Sequence, residues 1–476
     1  MGNSIEERLA QLEEQGKMLE PSHQERVDLF NQYHQVAEHF LEGLRENNTF
    51  NNGASTPNRY TLDGQPEDIQ KTIDTIENDL FVYGINAASG GHLGYIPGGG
   101  IYASSIGDYL AAISNAYSGV YYASPGAVEM EHACLNWVKS IFGFPSNAVG
   151  NLTSGGSIAN MIGLCAARDY QRILENGVEK NVIYLTEHTH HSVKKSLKIL
   201  GLKQVIVREI KVDSSNQMDI TSLEYQIIQD NKNGLHPAII VASAGTTDTG
   251  AVDPLNSIAD IAEKYKVWFH VDAAYGGFFI LADSVKDKFK GIERADSMIC
   301  DPHKSLFLPY GSGCVLIKNK EAVFTSHKVS AHYMQDTVEE ELPIDPSDVS
   351  PELTKHFRAL RMWLPLKTYG IAPFKSLLEE KLLLTEYFRQ KVVTLGFNVG
   401  PTPNLSVTYF WYPKVEDEDS FNHKLMQLCH QDGSVFLSSS RIDNRFVIRM
   451  AILSFRTHKY EIDKCIAMLQ RNLQLI

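Results

Sequence analysis

The chain has 476 residues, 43% of them hydrophobic, enough for a large core with a smaller companion domain. Its formal net charge of −13 argues against nucleic acid or an anionic membrane as the main partner. The six cysteines (Cys134, Cys165, Cys300, Cys314, Cys429, Cys465) form no CxxC pair and mostly fall in apolar runs, so reduced thiols in a cytoplasmic protein are expected. No stretch reads as a signal peptide or reaches the roughly 18 apolar residues of a membrane span. The opening "MGNSIE" begins like a myristoylation signal but has Glu6 where Ser or Thr is wanted.

Residues 1–50 read as surface-lying helix, with Val27, Phe30, Tyr33, Val36, Ala37, Phe40 and Leu41 at helical spacing. "NNTFNNGASTPN" (47–58) is a polar linker. A glycine- and aromatic-rich stretch runs to about 125 and becomes helical at "GAVEMEHACLNWVKSIFG". Between 150 and 320, short apolar runs at 181–186, 204–210, 238–244, 267–275, 297–300 and 313–318 alternate with helical patterns at 157–174, 191–200, 221–231 and 255–265. Near-continuous apolar strands alternating with helices predict a largely parallel sheet covered on both faces, with its site outside the strand ends. From about 350 the chain reads as helix to 395, then strand, helix, strand, strand, helix, a smaller α+β domain. The expected domains are an N-terminal helical segment (1–80), a large α/β domain (81–350) and a C-terminal small α+β domain (351–476).

Four features carry chemistry. "TSGGS" (153–157) opens a helix, and either an ordinary cap or a phosphate on the helix N-terminus suits it. Asp272 in "HVDAAYGG" is a carboxylate in an apolar strand, either a strand-end cap or the partner of a protonated ring nitrogen. "TEHTHHSVKKS" groups His188, His190 and His191 without matching carboxylate or cysteine spacing, so no metal is expected and a stacking or acid–base imidazole fits better. Lys304 in "DPHKSLF" lies between two apolar segments, either snorkelling to water or serving as a nucleophilic amine for an aldehyde cofactor. Together these meet the needs of pyridoxal phosphate: a lysine, a carboxylate for the ring nitrogen, a flat group over the ring and donors for the phosphate.

At these residues the sequence resembles the group II pyridoxal-phosphate-dependent amino acid decarboxylases, of the aromatic-L-amino-acid decarboxylase type. The stretches that carry the resemblance include "TSGGSIANMIGLCAARD", "THHSVKKS", "SAGTTDTGAVDPL", "WFHVDAAYGG", "DPHKSLF", "HFRALRMWLPLKTYG" and "RFVIRMAI". It implies a fold-type I α/β enzyme with a mostly parallel seven-stranded sheet, acting as a homodimer with sites at the subunit interface. It implies pyridoxal 5'-phosphate on Lys304, with Asp272 at the pyridine nitrogen and His190 stacked on the ring. Gly156, Ser157 and His303 match phosphate contacts, Thr246 and Ala274 match cofactor-lining positions, and His92, Tyr95, Ile96 and Pro97 fall where substrate-pocket residues lie. The implied reaction is decarboxylation of an L-amino acid to the amine plus CO2.

Two departures stand out. Relatives carry a proton-delivering tyrosine in a loop that corresponds to residues 336–357, which here contain none, so Tyr333, His332 and His190 are the candidates and oxidative deamination to an aldehyde is the alternative. Asp301 stands where close relatives often have asparagine near the phosphate, and it is expected to point away or hydrogen-bond locally. In "GHLGYIPGGG" the glycines beside Tyr95 and Ile96 suggest room for a bulky side chain, favouring an aromatic substrate. Other pyridoxal-phosphate chemistry, namely carbon–carbon lyases or an aminotransferase using Arg358 for the substrate carboxylate, fits less well, as does a non-enzymatic scaffold.

Overall fold

Helix caps and buried strands account for most of the architecture. The computed structural model describes residues 4–328, 343–413 and 416–476, and the chain divides into two compact units, Met1–Asn86 and Ala87–Ile476. In the first, helices α1 (Ile5–Gly16) and α2 (His23–Glu42) each open on a capping box, Ser4 with Glu7 and Ser22 with Glu25. These reciprocal bonds satisfy N–H groups that a helix start leaves without partners. Along both helices only Val36 is buried, while Ile5, Leu9, Leu12 and Leu29 stay exposed. A short helix α3 (Ile69–Thr75) and the antiparallel pair β1 (Phe50–Asn51) and β2 (Gly84–Ile85) complete the unit.

The second unit begins with α4 (Tyr102–Ser114) and α5 (Pro125–Phe142). Strands and helices then alternate: β3 (Val149–Thr153), α6 (Gly156–Tyr170), β4 (Asn181–Leu185), α7 (His191–Ile199), β5 (Ile206–Glu209), α8 (Ile220–Lys232), β6 (His236–Ser243), α9 (Leu255–Tyr265), β7 (Trp268–Ala273), β8 (Ser297–Cys300), α10 (Pro302–Ser305), β9 (Gly313–Ile317) and α11 (Lys320–His327). The seven strands form one sheet in the order β3-β9-β8-β7-β6-β4-β5. Strands β4 to β8 are parallel, and β9 runs antiparallel to both its neighbours. Alternate residues of one strand enter opposite cores: Val182 and Tyr184 pack with Phe269 and Val271, whereas Ile183 and Leu185 pack with Ile239 and Trp268. Burial on both faces is why these strands read as unbroken apolar runs.

The expected runs become six of the seven strands. The seventh, β3, is "VGNLT", whose glycine and asparagine interrupt any apolar run. It sits at the sheet edge on β9 and delivers the chain to the start of α6.

Helices α12 (Ala359–Tyr369) and α13 (Ala372–Thr394) lead to an antiparallel sheet of β10 (Asn398–Val399), β11 (Val407–Trp411), β12 (Ser438–Ile442) and β13 (Arg445–Ala451), in the order β10-β11-β13-β12. With α13, α14 (Glu418–Asp432) and α15 (Lys459–Leu473) it encloses a separate core around Phe388, Phe410, Leu425, Ile448 and Met468. Strand β12 begins at Ser438, later than the apolar run at 434 suggests.

Candidate active site

Strands β7 and β8 are parallel neighbours, with Ala273 opposite Cys300, so Asp272 and the turn after β8 open on the same crevice. Asp272 accepts from the Ala274 N–H on Oδ1 (3.1 Å) and from Asn160 Nδ2 on Oδ2 (2.9 Å). Asn160 is the end of a relay whose direction follows from its last acceptor, Asn160 Oδ1, which can only accept. Trp268 Nε1–H can only donate, and it donates to Ser297 Oγ (2.8 Å). Ser297 Oγ lies 2.8 Å from His270 Nδ1, and His270 Nε2 lies 2.8 Å from Asn160 Oδ1. Burial pushes His270 down to about 4, so the ring is neutral at pH 7. Its single proton is therefore on Nε2 and goes to Asn160 Oδ1, while Ser297 donates to Nδ1. A glycine is required across from it, because a Cβ at Gly163 would lie 2.9 Å from His270 Cε1.

The same Asn160 amide donates to Ser192 Oγ (3.1 Å), which is 2.7 Å from His190 Nδ1. His190 is the N-cap of α7, its Nδ1 also accepting the Ser192 backbone N–H (3.3 Å). Nδ1 is thus an acceptor, and the proton of the neutral ring is on Nε2. Burial holds His190 below its ordinary value against the opposing pull of Asp272. One hydrogen-bonded chain from the sheet core therefore orients both the carboxylate and the imidazole. Asn160→Ala would leave buried donors and acceptors unpaired, and a loss of about 1–3 kcal/mol in unfolding free energy is expected on urea denaturation.

Lys304 lies on the one-turn helix α10, its side chain 19% exposed, with Nζ 3.2 Å from Asp301 Oδ2. Asp301 thus has a local partner, as expected, but it does not point away from the cavity. It lines the cavity wall, where Lys304 Nζ draws its Oδ2 inward and His303 Nε2 lies 3.6 Å away. The next turn is strained: Phe307 has φ 64°, a left-handed conformation that costs a bulky residue about 1–2 kcal/mol. Its carbonyl accepts from Ile101 N–H and its ring stacks on Phe374.

A cavity of about 240 Å³ is lined by Gly155, Gly156, Ser157, Asn160, His190, Asp272, Ala274, Asp301, His303 and Lys304, among others. A narrow adjoining space is walled by Thr246, His188 and Tyr275, and also touches His190, Asp272 and Lys304. Every residue expected to hold the cofactor therefore lies on one of these two walls. No group of three or more His, Cys, Asp or Glu side chains is placed to hold a metal ion among the described residues.

His92, Tyr95, Ile96, Pro97 and Arg358 line neither space. Arg358 is nearly buried and its guanidinium is held by both oxygens of Glu352 (3.0 and 3.1 Å). The glycines around Tyr95 do not make side-chain room. A Cβ at Gly94 would meet the Phe436 ring at 2.5 Å, and one at Gly98 would meet the His303 carbonyl at 2.2 Å. They let this strap approach the backbone beneath Lys304. Arg449, 3% exposed, donates to the carbonyls of Tyr95 (3.0 Å) and Thr247 (2.8 Å) and so ties the strap to the loop beyond β6. Tyr333 and His332 lie outside the described residues.

The profile of the pyridoxal-dependent decarboxylase conserved domain matches residues 56–413. The chain belongs to this family. It is a pyridoxal-phosphate-dependent amino acid decarboxylase. It is 35% identical over 375 residues to an aromatic-L-amino-acid decarboxylase of Bacillus atrophaeus, covering 77% of each chain. It is 29% identical over 414 residues to a phenylacetaldehyde synthase of Petunia hybrida, covering 82% of this chain and 81% of that one. The fold matches Oryza sativa TDC solved with PLP and tryptamine at a TM-score of 0.88 and 22% identity, covering 94% of this chain and 97% of that one. That likeness shows a shared fold.

Proposed function

We propose that the chain removes the carboxylate of an aromatic L-amino acid as CO2 and releases the amine. The observation that carries this reading is the convergence of a lysine amine, an oriented carboxylate, an oriented imidazole and a glycine-led helix start on one cavity. These residues fit pyridoxal phosphate. A side chain at Gly156 would collide with Asp301, so the turn has to stay bare, and Asp272 retains lone pairs beyond those used by Asn160 and Ala274. Lys304 would hold the aldehyde carbon, Asp272 the ring nitrogen, and the 155–157 turn with His303 the phosphate, with Thr246 and Ala274 lining the ring. Bound there, the cofactor supplies an electron sink for the pair left at Cα when CO2 departs.

The protein's own part is orientation and proton control. Asp272, fixed by two donors, would hold a proton on the ring nitrogen of the bound cofactor. His190 presents Nε2–H to the cavity and can hold a substrate carboxylate by donation. Mostly buried Lys304 takes protons from and returns them to the reacting amine away from bulk water. For the proton to Cα, His190 is the described candidate, alongside Tyr333 and His332. The aromatic preference rests on the Bacillus relative's activity.

A second reading, oxidative deamination with O2 to aldehyde, ammonia, CO2 and peroxide, is favoured by the missing tyrosine in 336–357 and by the likeness to a phenylacetaldehyde synthase. A homodimer is favoured by the exposed apolar side chains of α1 and α2 and, separately, by exposed Tyr102, Ile106, Leu110 and Ile113 on α4. Six buried free thiols suit a cytoplasmic setting.

The test is a panel of Phe, Tyr, Trp, Dopa, His, Glu, Asp and 2,4-diaminobutyrate, with CO2, amine, aldehyde and peroxide all quantified. Equal CO2 and amine from an aromatic acid is the expected result. Aldehyde with peroxide would establish the second reading instead, and transamination without CO2 would contradict both.

A further inference from the structure

Asp301 is 1% exposed, and its Oδ1 has no hydrogen-bond partner among the described residues. A buried polar atom without a partner in a cavity wall points to a function. Its other oxygen is 3.2 Å from Lys304 Nζ and 3.6 Å from His303 Nε2. The carboxylate also lies against the start of the fifteen-residue helix α6, since a Cβ at Gly156 would stand 2.8 Å from Oδ2 and 3.2 Å from Oδ1. A phosphate ester on that helix start would therefore lie beside a carboxylate, and two anions so close cannot both keep full charge without cost.

The surrounding charges do little to relieve this. Lys304 Nζ and His303 Nε2 are the only basic nitrogens of described residues within 4 Å of Asp301. His190 from the start of α7 feels Asp301 at longer range, and Arg361 on α12 acts on His303. Asp272 on β7 adds a second negative charge to the same wall. Burial holds both His190 and His303 below their ordinary values, so above about pH 7 they contribute no positive charge. The nearest basic group of the described residues is then Lys304, which Asp301 and the incoming phosphate would share.

We propose that Asp301 takes up one proton from solvent as a phosphate monoester is seated at the 155–157 turn, so that capture of the cofactor weakens as pH rises. The protonated carboxyl then donates a hydrogen bond to a phosphate oxygen, the part an asparagine amide would play at any pH. The proposal rests on the cofactor assignment above and gives this chain a pH-dependent hold on its cofactor.

The experiment measures equilibrium binding of 4'-deoxypyridoxine 5'-phosphate, which has no aldehyde and cannot bond to Lys304. Above pH 7 its phosphate is already a dianion, the second ionisation lying near 6. Calorimetry in buffers of differing ionisation heat counts the protons taken up. In the wild-type protein, Kd is expected to rise at least about fivefold from pH 7 to pH 9, with roughly 0.5–1 proton bound per ligand. Asp301→Asn is expected to hold Kd within about twofold over the same range, to bind more tightly at pH 9 and to take up no proton. Phosphate-free 4'-deoxypyridoxine should show the same pH response in both proteins. If Asp301→Asn does not fold, Asp301→Ala and the wild-type proton count decide the matter. Equal pH responses, or no proton uptake by the wild type, would overturn the role of Asp301 and leave the cofactor assignment standing. Failure of the wild type to bind the ester at any pH would overturn both.

Discussion

Lys304→Ala is expected to fold, to show no absorption band near ~420 nm with added pyridoxal phosphate, and to release no measurable CO2 from any amino acid. Its role as a proton carrier alone typically contributes about 10²–10⁴ in rate, and loss of the covalent attachment adds to that. The fold should survive, because the Lys304 side chain is partly exposed and its ion-pair partner among the described residues is Asp301. The turn around it is set by its backbone, with Gly98 beneath the His303 and Lys304 carbonyls and Phe307 held in its left-handed conformation. Lys304→Arg is the control. It keeps a cation for Asp301 but offers no amine, so it should lose the band and the activity while unfolding at the wild-type denaturant midpoint. A Lys304→Ala protein that keeps the band would place the cofactor on another amine.

The largest stability effect is expected at Lys355. Its ammonium and the Glu131 carboxylate are both fully buried, 2.7 Å apart. Glu131 Oε1 also accepts the Leu152 N–H (3.1 Å), and Lys355 donates to Asn151 Oδ1 (3.2 Å). Asn151 in turn donates to the Pro346 carbonyl (2.9 Å). One ion pair thus joins α5, β3 and the segment before α12, and β3 is the strand that ends at the 155–157 turn. Lys355→Met strands a carboxylate in the core, and a loss of about 3–5 kcal/mol is expected from urea denaturation. Adding Glu131→Leu removes the stranded charge and should recover much of the loss, because an apolar pair of similar volume is often no worse than a buried ion pair. A single-variant loss below about 1 kcal/mol would mean that water or local relaxation already reaches the pair.

The sequence was informative where one residue type departs from its surroundings. Lys304 and Asp272 are charges in apolar text, and the glycine pair at 155 and 156 punctuates a helix start, so each announces itself. The alternation of buried strands and helices made the sheet legible for the same reason. The relay behind the site was less visible. Asn160 looks like one more polar residue on a helix, and Ser192 and Ser297 like ordinary caps. A signal did exist at His270, which lies two residues before Asp272 and so faces the same side of a buried strand. Arg449 carried a similar one, a cation in the apolar run "RFVIRMAI". The glycines of "GHLGYIPGGG" misled because glycine in a sequence signals either free space or close approach, and only packing distinguishes the two. Arg358 misled because its carboxylate partner is Glu352, six residues earlier in the same chain, and not a ligand.

The most direct test of the whole account is borohydride reduction of the protein saturated with pyridoxal phosphate, followed by proteolysis and mass spectrometry. About one phosphopyridoxyl group per chain is expected, on the peptide that contains Lys304. Stoichiometric labelling of any other lysine, or none at all, would contradict it.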